Sequence, residues 1–321
     1  MPRTLLQIAI VVLGAAMLAL FSVIYFAIRP AAPADVRLEI TGPAVTFAAF
    51  GDQGTGNYRQ YQIANALDTI AGKRGLDFVA LLGDNFYRYG VSGVEDAQWR
   101  YKFENMYSGE HLARVPFFAV LGNHDYYGDA QAQIIYSRER LGSGRWQMPG
   151  TDYLDHFGRI GDEHLLRVAF LDTSPGLRPE AETAVVLDEL LTVSAPARWT
   201  VIATHAPVRS SRDFYDHTPL REALMPVLRA HGVHAYFAGH DHNIQVLHHE
   251  GEPVQVITGS GGKYGQAITD GHDEGLRFVG FSLGFALVSA TAEQMTIELV
   301  NEDTDIIYEL ALRANALITT P

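Results

Sequence analysis

The chain has 321 residues, of which 47% are hydrophobic and 19% are charged, which is enough for one large folded domain. Its formal net charge of −13 argues against nucleic acid as a partner, because binding a phosphate backbone needs clustered Lys and Arg. Cysteine is absent, which excludes disulfides, thiolate metal ligands and a cysteine nucleophile.

The first segment of the chain is apolar. Residues 5–28 carry no charge, and a bilayer core needs about 20 apolar residues in a helix. We therefore expect residues 1–29 to form a transmembrane helix, or a signal segment that is cleaved at the A-x-A-like site 32–34, with a linker over 30–43. Either outcome predicts that the domain over 44–321 lies outside the cytoplasm (periplasmic or extracellular), anchored to the membrane or secreted.

Short apolar runs then alternate with helical patterns. The predicted strands are 45–50, 77–82, 116–121, 165–171, 199–204, 233–238 and 253–258. The predicted helices are 57–72, 94–107, 128–141, 180–194 and 217–231. Apolar strands separated by helices indicate an α/β fold with a buried sheet. In the last third, 278–290, 294–300 and 305–312 are joined by short turns, which predicts antiparallel strands.

Five of the apolar runs stop at a potential ligand, in the motifs GDQG, GDNFY, GNHD, THAP and GHDH. The residues concerned are Asp52, Asp84, Asn123, His205, His240 and His242. Because ligands of open α/β sheets bind beyond the carboxyl ends of strands, these side chains are expected to meet. Taken alone, Asp52, Asp84 and Asn123 would be turn or capping residues, and a histidine such as His205 would be a satisfied core or surface residue. Together, carboxylate, carboxamide and imidazole ligands suit Fe, Mn or Zn, and their number indicates two ions that share Asp84.

The motif series resembles that of the calcineurin-like metallophosphoesterases and, within them, the small purple acid phosphatases of the tartrate-resistant type. The resemblance runs from about residue 45 to about residue 300. It implies a two-sheet β-sandwich flanked by helices, in four αββα layers. It also implies a binuclear-metal acid phosphatase that hydrolyses phosphomonoesters, small molecules or phosphoproteins, by attack of a metal-bound hydroxide. The alternative is a phosphodiesterase, nucleotidase or pyrophosphatase of the same fold that uses Mn or Zn. A binding module without activity is a third hypothesis.

The resemblance also implies the metal ligands. The first ion, ferric iron, would be bound by Asp52, Asp84, Tyr87 and His242. The second, a divalent Fe, Zn or Mn, would be bound by Asp84, Asn123, His205 and His240. Tyr87 stands three residues after Asp84, where the purple phosphatases use a phenolate, although taken alone it would be a packed aromatic residue. The first motif lacks the histidine that other metallophosphoesterases carry there, which favours ligation by Tyr87.

Three further residues are predicted to act in catalysis. His124, next to Asn123, is expected to contact phosphate and to act as the general acid, with Asp125 orienting its ring. His217 lies where the family has another active-site histidine, but an exposed surface position fits it as well. Gln53 and Ala206 replace aromatic residues of the family, and both are expected to flank the substrate.

Overall fold

The computed structural model describes residues 35–211, 218–265, 273–313 and 316–318. The predicted membrane or signal segment and His217 lie outside the described residues. Within the described ranges, no helix is long and apolar enough to cross a membrane.

Strands dominate the described chain. In order they are β1 (Val45–Phe50), β2 (Phe78–Leu82), β3 (Phe117–Val120), β4 (Trp146–Gln147), β5 (Tyr153–Ile160), β6 (Glu163–Leu171), β7 (Ala197–Thr204), β8 (Ala235–Ala238), β9 (Ile244–Leu247), β10 (Val254–Thr258), β11 (Leu276–Gly280), β12 (Gly284–Ala290), β13 (Gln294–Asn301), β14 (Ile306–Arg313) and β15 (Ala316–Ile318). The α-helices are α1 (Tyr58–Arg74), α2 (Ala130–Arg138), α3 (Glu180–Val193) and α4 (Thr218–Ala230). A π-helical turn covers Trp99–Glu104, and a 3-10 turn covers Asp125–Tyr127.

The described strands form two mixed sheets. The first has the order β15-β14-β13-β12-β1-β2-β3-β4, in which β1 to β4 run parallel and β12 to β15 antiparallel. The second has the order β11-β9-β10-β8-β7-β6-β5, with a parallel centre of β6, β7, β8 and β10. The central strands are apolar on both faces because each sheet is covered on both sides.

Aromatic residues join the two sheets face to face. The Phe47 ring in β1 lies 5.9 Å from that of Phe237 in β8, and Phe118 in β3 lies 5.6 Å from Phe170 in β6. Buried side chains of α1 extend this core, whereas α3 and α4 pack against the second sheet in a separate apolar cluster. The α/β prediction and the two-sheet sandwich flanked by helices are therefore confirmed.

Three details of the predicted pattern are wrong. The stretch 278–290, predicted as one strand, is divided between β11, which joins the second sheet, and β12, which joins the first. Hydrophobic periodicity identifies a strand but does not tell which sheet it joins. The helix predicted over 94–107 is reduced to the π-helical turn, and the edge strand β5 was not predicted at all.

Candidate metal centre

The potential ligands lie at the carboxyl ends of strands from both sheets. Asp52, Asp84 and Asn123 follow β1, β2 and β3 of the first sheet. His205 follows β7 of the second sheet, and β8 is followed by His240 and His242. The loops after these strands meet, so that the His240 backbone N–H and the Asp52 carboxylate, 188 residues apart in the chain, come into hydrogen-bonding range.

One group of donor atoms surrounds Asp52. The Tyr87 hydroxyl donates to Asp52 Oδ1 at 2.7 Å. The same hydroxyl lies 3.1 Å from His242 Nε2, which is itself 3.2 Å from Asp52 Oδ1. We call Asp52, Tyr87 and His242 the tyrosine cluster.

A second group surrounds His205. Its Nε2 atom lies 3.1 Å from Asn123 Oδ1 and 3.2 Å from His240 Nδ1. We call these three residues the asparagine cluster. Asp84 connects the clusters, because its Oδ1 atom is 3.6 Å from His205 Nε2 and it offers, with Asp52 and His205, ligand atoms within 4.8 Å of one another.

The backbone at three of these residues is strained. Asp52, Asp84 and His240 have φ values of 58°, 54° and 69°, in the left-handed region that costs a non-glycine residue about 1–2 kcal/mol. Hydrogen bonds hold this conformation: the His240 N–H donates to Asp52 Oδ2 at 2.7 Å, and the Asp52 N–H donates to the Gly83 carbonyl at 3.0 Å. Strain of this kind is typical of functional sites, where it aims side chains into a common space.

Glycines leave room for the ligands of neighbouring strands. A Cβ atom on Gly239 would lie 2.7 Å from Asp52 Oδ2, and one on Gly83 would lie 2.6 Å from His205 Nδ1. Each glycine precedes one potential ligand and faces another, so a larger residue at either position would push a donor atom out of the site.

The atoms present fit a cation. A carbonyl oxygen only accepts hydrogen bonds, so the Nδ1 atom of His205, 2.8 Å from the Leu82 oxygen, carries a proton. In the neutral ring, Nε2 then carries a lone pair that faces the oxygens of Asn123 and Asp84. All of these atoms are acceptors, and a metal ion between them would stabilise the arrangement. The tyrosine cluster adds hard oxygen donors beside an imidazole, which suits iron.

The electrostatics of the centre favour positive charge. Burial lowers the pKa of His205, but the carboxylates of Asp84 and Asp52 outweigh burial and raise it overall. Burial raises the pKa of Asp52. Its hydrogen bond to His242 and the positive charges of His242 and His205 outweigh burial and bring that pKa below its usual range. Burial and the same two carboxylates raise the pKa of Tyr87 well above its ordinary value.

The His124 ring lies beside the tyrosine cluster. Its centroid is 4.5 Å from that of the Tyr87 ring, and its side chain is 27% exposed. The backbone N–H of His124 donates to Asp84 Oδ1 at 2.9 Å, and its Nε2 lies 4.0 Å from Asp84 Oδ2. The ring Nδ1 donates to the Arg88 carbonyl at 2.8 Å, which leaves Nε2 facing the carboxylate.

The expectation that Asp125 orients His124 is wrong. Its buried carboxylate accepts instead from the backbone N–H groups of Gly122, Asn85 and Phe86, at 2.9, 3.1 and 3.1 Å. Asp125 therefore fixes the GDNFY loop to the GNHD loop, and the Arg88 carbonyl holds the imidazole. His217 lies outside the described residues, so its role stays a prediction.

Two lysines near Tyr87 were missed by sequence reasoning. Lys102 is buried and donates through Nζ to the Tyr87 carbonyl and to Gln98 Oε1; burial lowers its pKa to about 8. Lys263 Nζ lies 4.5 Å from the centroid of the Tyr87 ring. The sequence signal for Lys102 is weak: a lysine between apolar residues of a short helical turn.

Gln53 and Ala206 differ in position. Gln53 is 2% exposed and donates to Asn85 Oδ1 at 2.9 Å, and its place beside the substrate stays a prediction. Ala206 lines a cavity together with His240.

Comparisons with known proteins agree with this geometry. The sequence model of the calcineurin-like phosphoesterase family matches residues 45–243. Tartrate-resistant acid phosphatase type 5 of Homo sapiens is 31% identical over 306 residues, which cover 85% of this chain and 92% of the human protein. Purple acid phosphatase 17 of Arabidopsis thaliana is 33% identical over 240 residues, 68% of each chain. Among solved structures, GAP50, the anchor in the inner membrane complex of Plasmodium, superposes with a TM-score of 0.75 at 25% identity, over 84% of this chain and 89% of that chain.

Proposed function

This chain belongs to the calcineurin-like phosphoesterase family, and we propose that it acts as a binuclear-metal acid phosphatase on phosphomonoesters. The observation that carries the proposal is the pair of donor clusters joined by Asp84. Relatives named purple acid phosphatase and tartrate-resistant acid phosphatase support a phosphoric monoester hydrolase.

The ligand assignment is part of the proposal. Asp52, Tyr87, His242 and Asp84 would hold Fe(III), because this set contains the phenol and two carboxylates. The asparagine cluster and Asp84 would hold a divalent Fe, Zn or Mn. Distances of 2.7–3.2 Å between the donor atoms within each cluster support two separate ions.

His124 is proposed to deliver the proton to the leaving group. When bound, two metal ions would polarise the phosphoryl oxygens and acidify water for attack on phosphorus. Because Arg88 holds the Nδ1 proton, the protonated Nε2 is the atom that can donate to the leaving oxygen. The Asp84 carboxylate lies 4.0 Å from this atom.

The apolar N-terminal segment bears on where the enzyme is located in the cell. We propose that residues 1–29 anchor the domain to a membrane, with the catalytic domain outside the cytoplasm; a cleaved segment would instead release it. Protease added to cells whose outer envelope has been permeabilised, with the cytoplasmic membrane intact, should digest an anchored domain, whereas protection of the domain would contradict this location.

The test of the metal assignment is the visible absorption spectrum of the iron-loaded protein beside that of Tyr87→Phe. A phenolate bound to Fe(III) gives a broad visible band, which the variant should lose. Tyr89→Phe is the matched control, because Tyr89 is two residues away and exposed. A colourless wild type with iron bound would contradict the assignment and favour the same fold with Mn or Zn.

Activity on matched esters distinguishes the functions. A monoesterase should cleave phenyl phosphates much faster than the corresponding diesters, and the reverse preference would favour the diesterase alternative. Absence of turnover with both metals bound would favour a binding role.

A further inference from the structure

A cavity of about 280 Å³ lies beside the metal centre. His240 and Ala206 are among the residues that line it. The exposed residues Leu177 and Glu180 line it as well, so the cavity borders both a proposed metal ligand and residues open to solvent. Tyr126, two residues after His124, forms part of its wall. The alcohol portion of a phosphomonoester bound at the metals would occupy this space.

Hydrogen bonds between the lining residues hold the walls in place. The Ala206 N–H donates to Thr173 Oγ1 at 2.8 Å, and the Ser174 N–H donates to Asp172 Oδ1 at 2.9 Å. The Asp172 N–H donates to Asp152 Oδ1 at 2.9 Å, and the Tyr126 hydroxyl donates to Asp172 Oδ2. The cavity is therefore preformed, as small-molecule sites usually are, and its volume is near the lower limit of about 300 Å³ for such sites.

The charges that line the cavity are mainly negative. Three carboxylates, from Asp152, Asp172 and Glu180, face one guanidinium, that of Arg178, among the described lining residues. Arg178 is already engaged, since Nη1 and Nη2 donate to the two oxygens of Asp152 at 2.8 and 3.0 Å and Nε to Thr183 Oγ1 at 3.2 Å. Two negative charges thus remain in excess, and the Tyr126 ring adds an aromatic surface that attracts ammonium groups.

We propose that this cavity binds the alcohol portion of the substrate and selects small phosphomonoesters whose alcohol carries an ammonium group. The inference rests on the proposed phosphatase function and adds the class of substrate to it. An alcohol with a second anionic group would be repelled by Asp172 and Glu180, and a neutral alcohol would gain nothing from them.

Binding of uncleaved analogues tests the selection without interference from leaving-group chemistry. The phosphonate analogue of phosphocholine and its tert-butyl isostere have the same shape and differ by one positive charge. Calorimetry on the full-length, metal-loaded protein should give a dissociation constant about tenfold lower for the ammonium compound. Equal dissociation constants, or no binding of either compound, would overturn the inference.

Variants of the lining carboxylates test which residues cause the preference for the ammonium compound. Asp172→Asn and Glu180→Gln should each reduce it to about threefold or less. Glu182→Gln should leave it unchanged, because Glu182 lies in the same first turn of α3 but does not line the cavity. A preference that survives in both lining variants would contradict the assigned cavity.

Hydrolysis of p-nitrophenyl phosphate by the same samples separates the two proposals: turnover without the preference refutes only the cavity, and the preference without turnover refutes only the phosphatase.

Discussion

Replacement of His124 by alanine should slow the hydrolysis of alkyl phosphates far more than that of activated aryl phosphates. The Arg88 carbonyl holds Nδ1, so Nε2 is the position from which a proton can reach the leaving oxygen. An alkoxide needs that proton to leave, whereas p-nitrophenolate is stable without it. The difference between the two losses therefore measures proton donation separately from any effect on phosphate binding.

The exposure of the His124 side chain sets the expected magnitude. A general acid contributes a factor of about 10²–10⁴ in rate, or about 2.7–5.5 kcal/mol of barrier. The side chain is 27% exposed, so water can enter the space that alanine leaves and replace part of the acid. We expect kcat/KM to fall about 10²–10³-fold for glycerol phosphate and less than about tenfold for p-nitrophenyl phosphate.

The assay compares kcat/KM for both esters in wild type, His124→Ala and Tyr127→Phe. Tyr127 is the control because its ring lies 5.3 Å from that of His124 but is 64% exposed. Added imidazole should restore part of the alkyl phosphatase activity, since the vacated site is open to solvent. An unchanged visible band would show that Tyr87 still binds iron. Equal losses on the two esters would refute the role of His124 as the acid.

Two further predictions concern stability. Arg145→Met should lower the free energy of unfolding in urea by about 3–5 kcal/mol, because the 3%-exposed guanidinium is the cation beside the buried Glu104 carboxylate, at 3.3 Å. Adding Glu104→Gln should restore part of the loss, and a loss below about 1 kcal/mol in the single variant would argue against this pairing. Burial lowers the pKa of His234 below its ordinary 6.5, so the unfolded chain binds more protons there and stability should fall as pH drops through 6.5. His234→Gln should reduce that fall between pH 7.5 and 5.5 in urea titrations; an identical slope would exclude His234 as a source.

The sequence predicted which residues gather at the candidate metal centre because ligand motifs at strand ends are local. An apolar run that ends in Gly-Asp, Gly-His or Thr-His places the polar side chain at the carboxyl end of a strand, whatever else the chain does. This local signal was sufficient for Asp52, Asp84 and His205, which the structure brings within 4.8 Å.

The partners of these residues were less predictable. Asp125 follows His124 in the chain, and proximity in sequence suggested a contact, but its carboxylate turns to Asn85 and Phe86 instead. The Arg88 carbonyl that accepts from His124 cannot be predicted from the sequence, because every residue has a backbone carbonyl. Lys102 reaches Tyr87 from a turn 15 residues away.

By itself, then, the sequence determined the family, the alternation of strands and helices, and the residue types gathered at the strand ends, since each depends on short stretches of side-chain pattern. Only the tertiary structure decided which sheet β11 and β12 joined, which atom held each histidine, and where the acidic cavity lay beside His240. Those features arise where loops from distant strands meet, and their hydrogen bonds and charges depend on distances that no local pattern specifies.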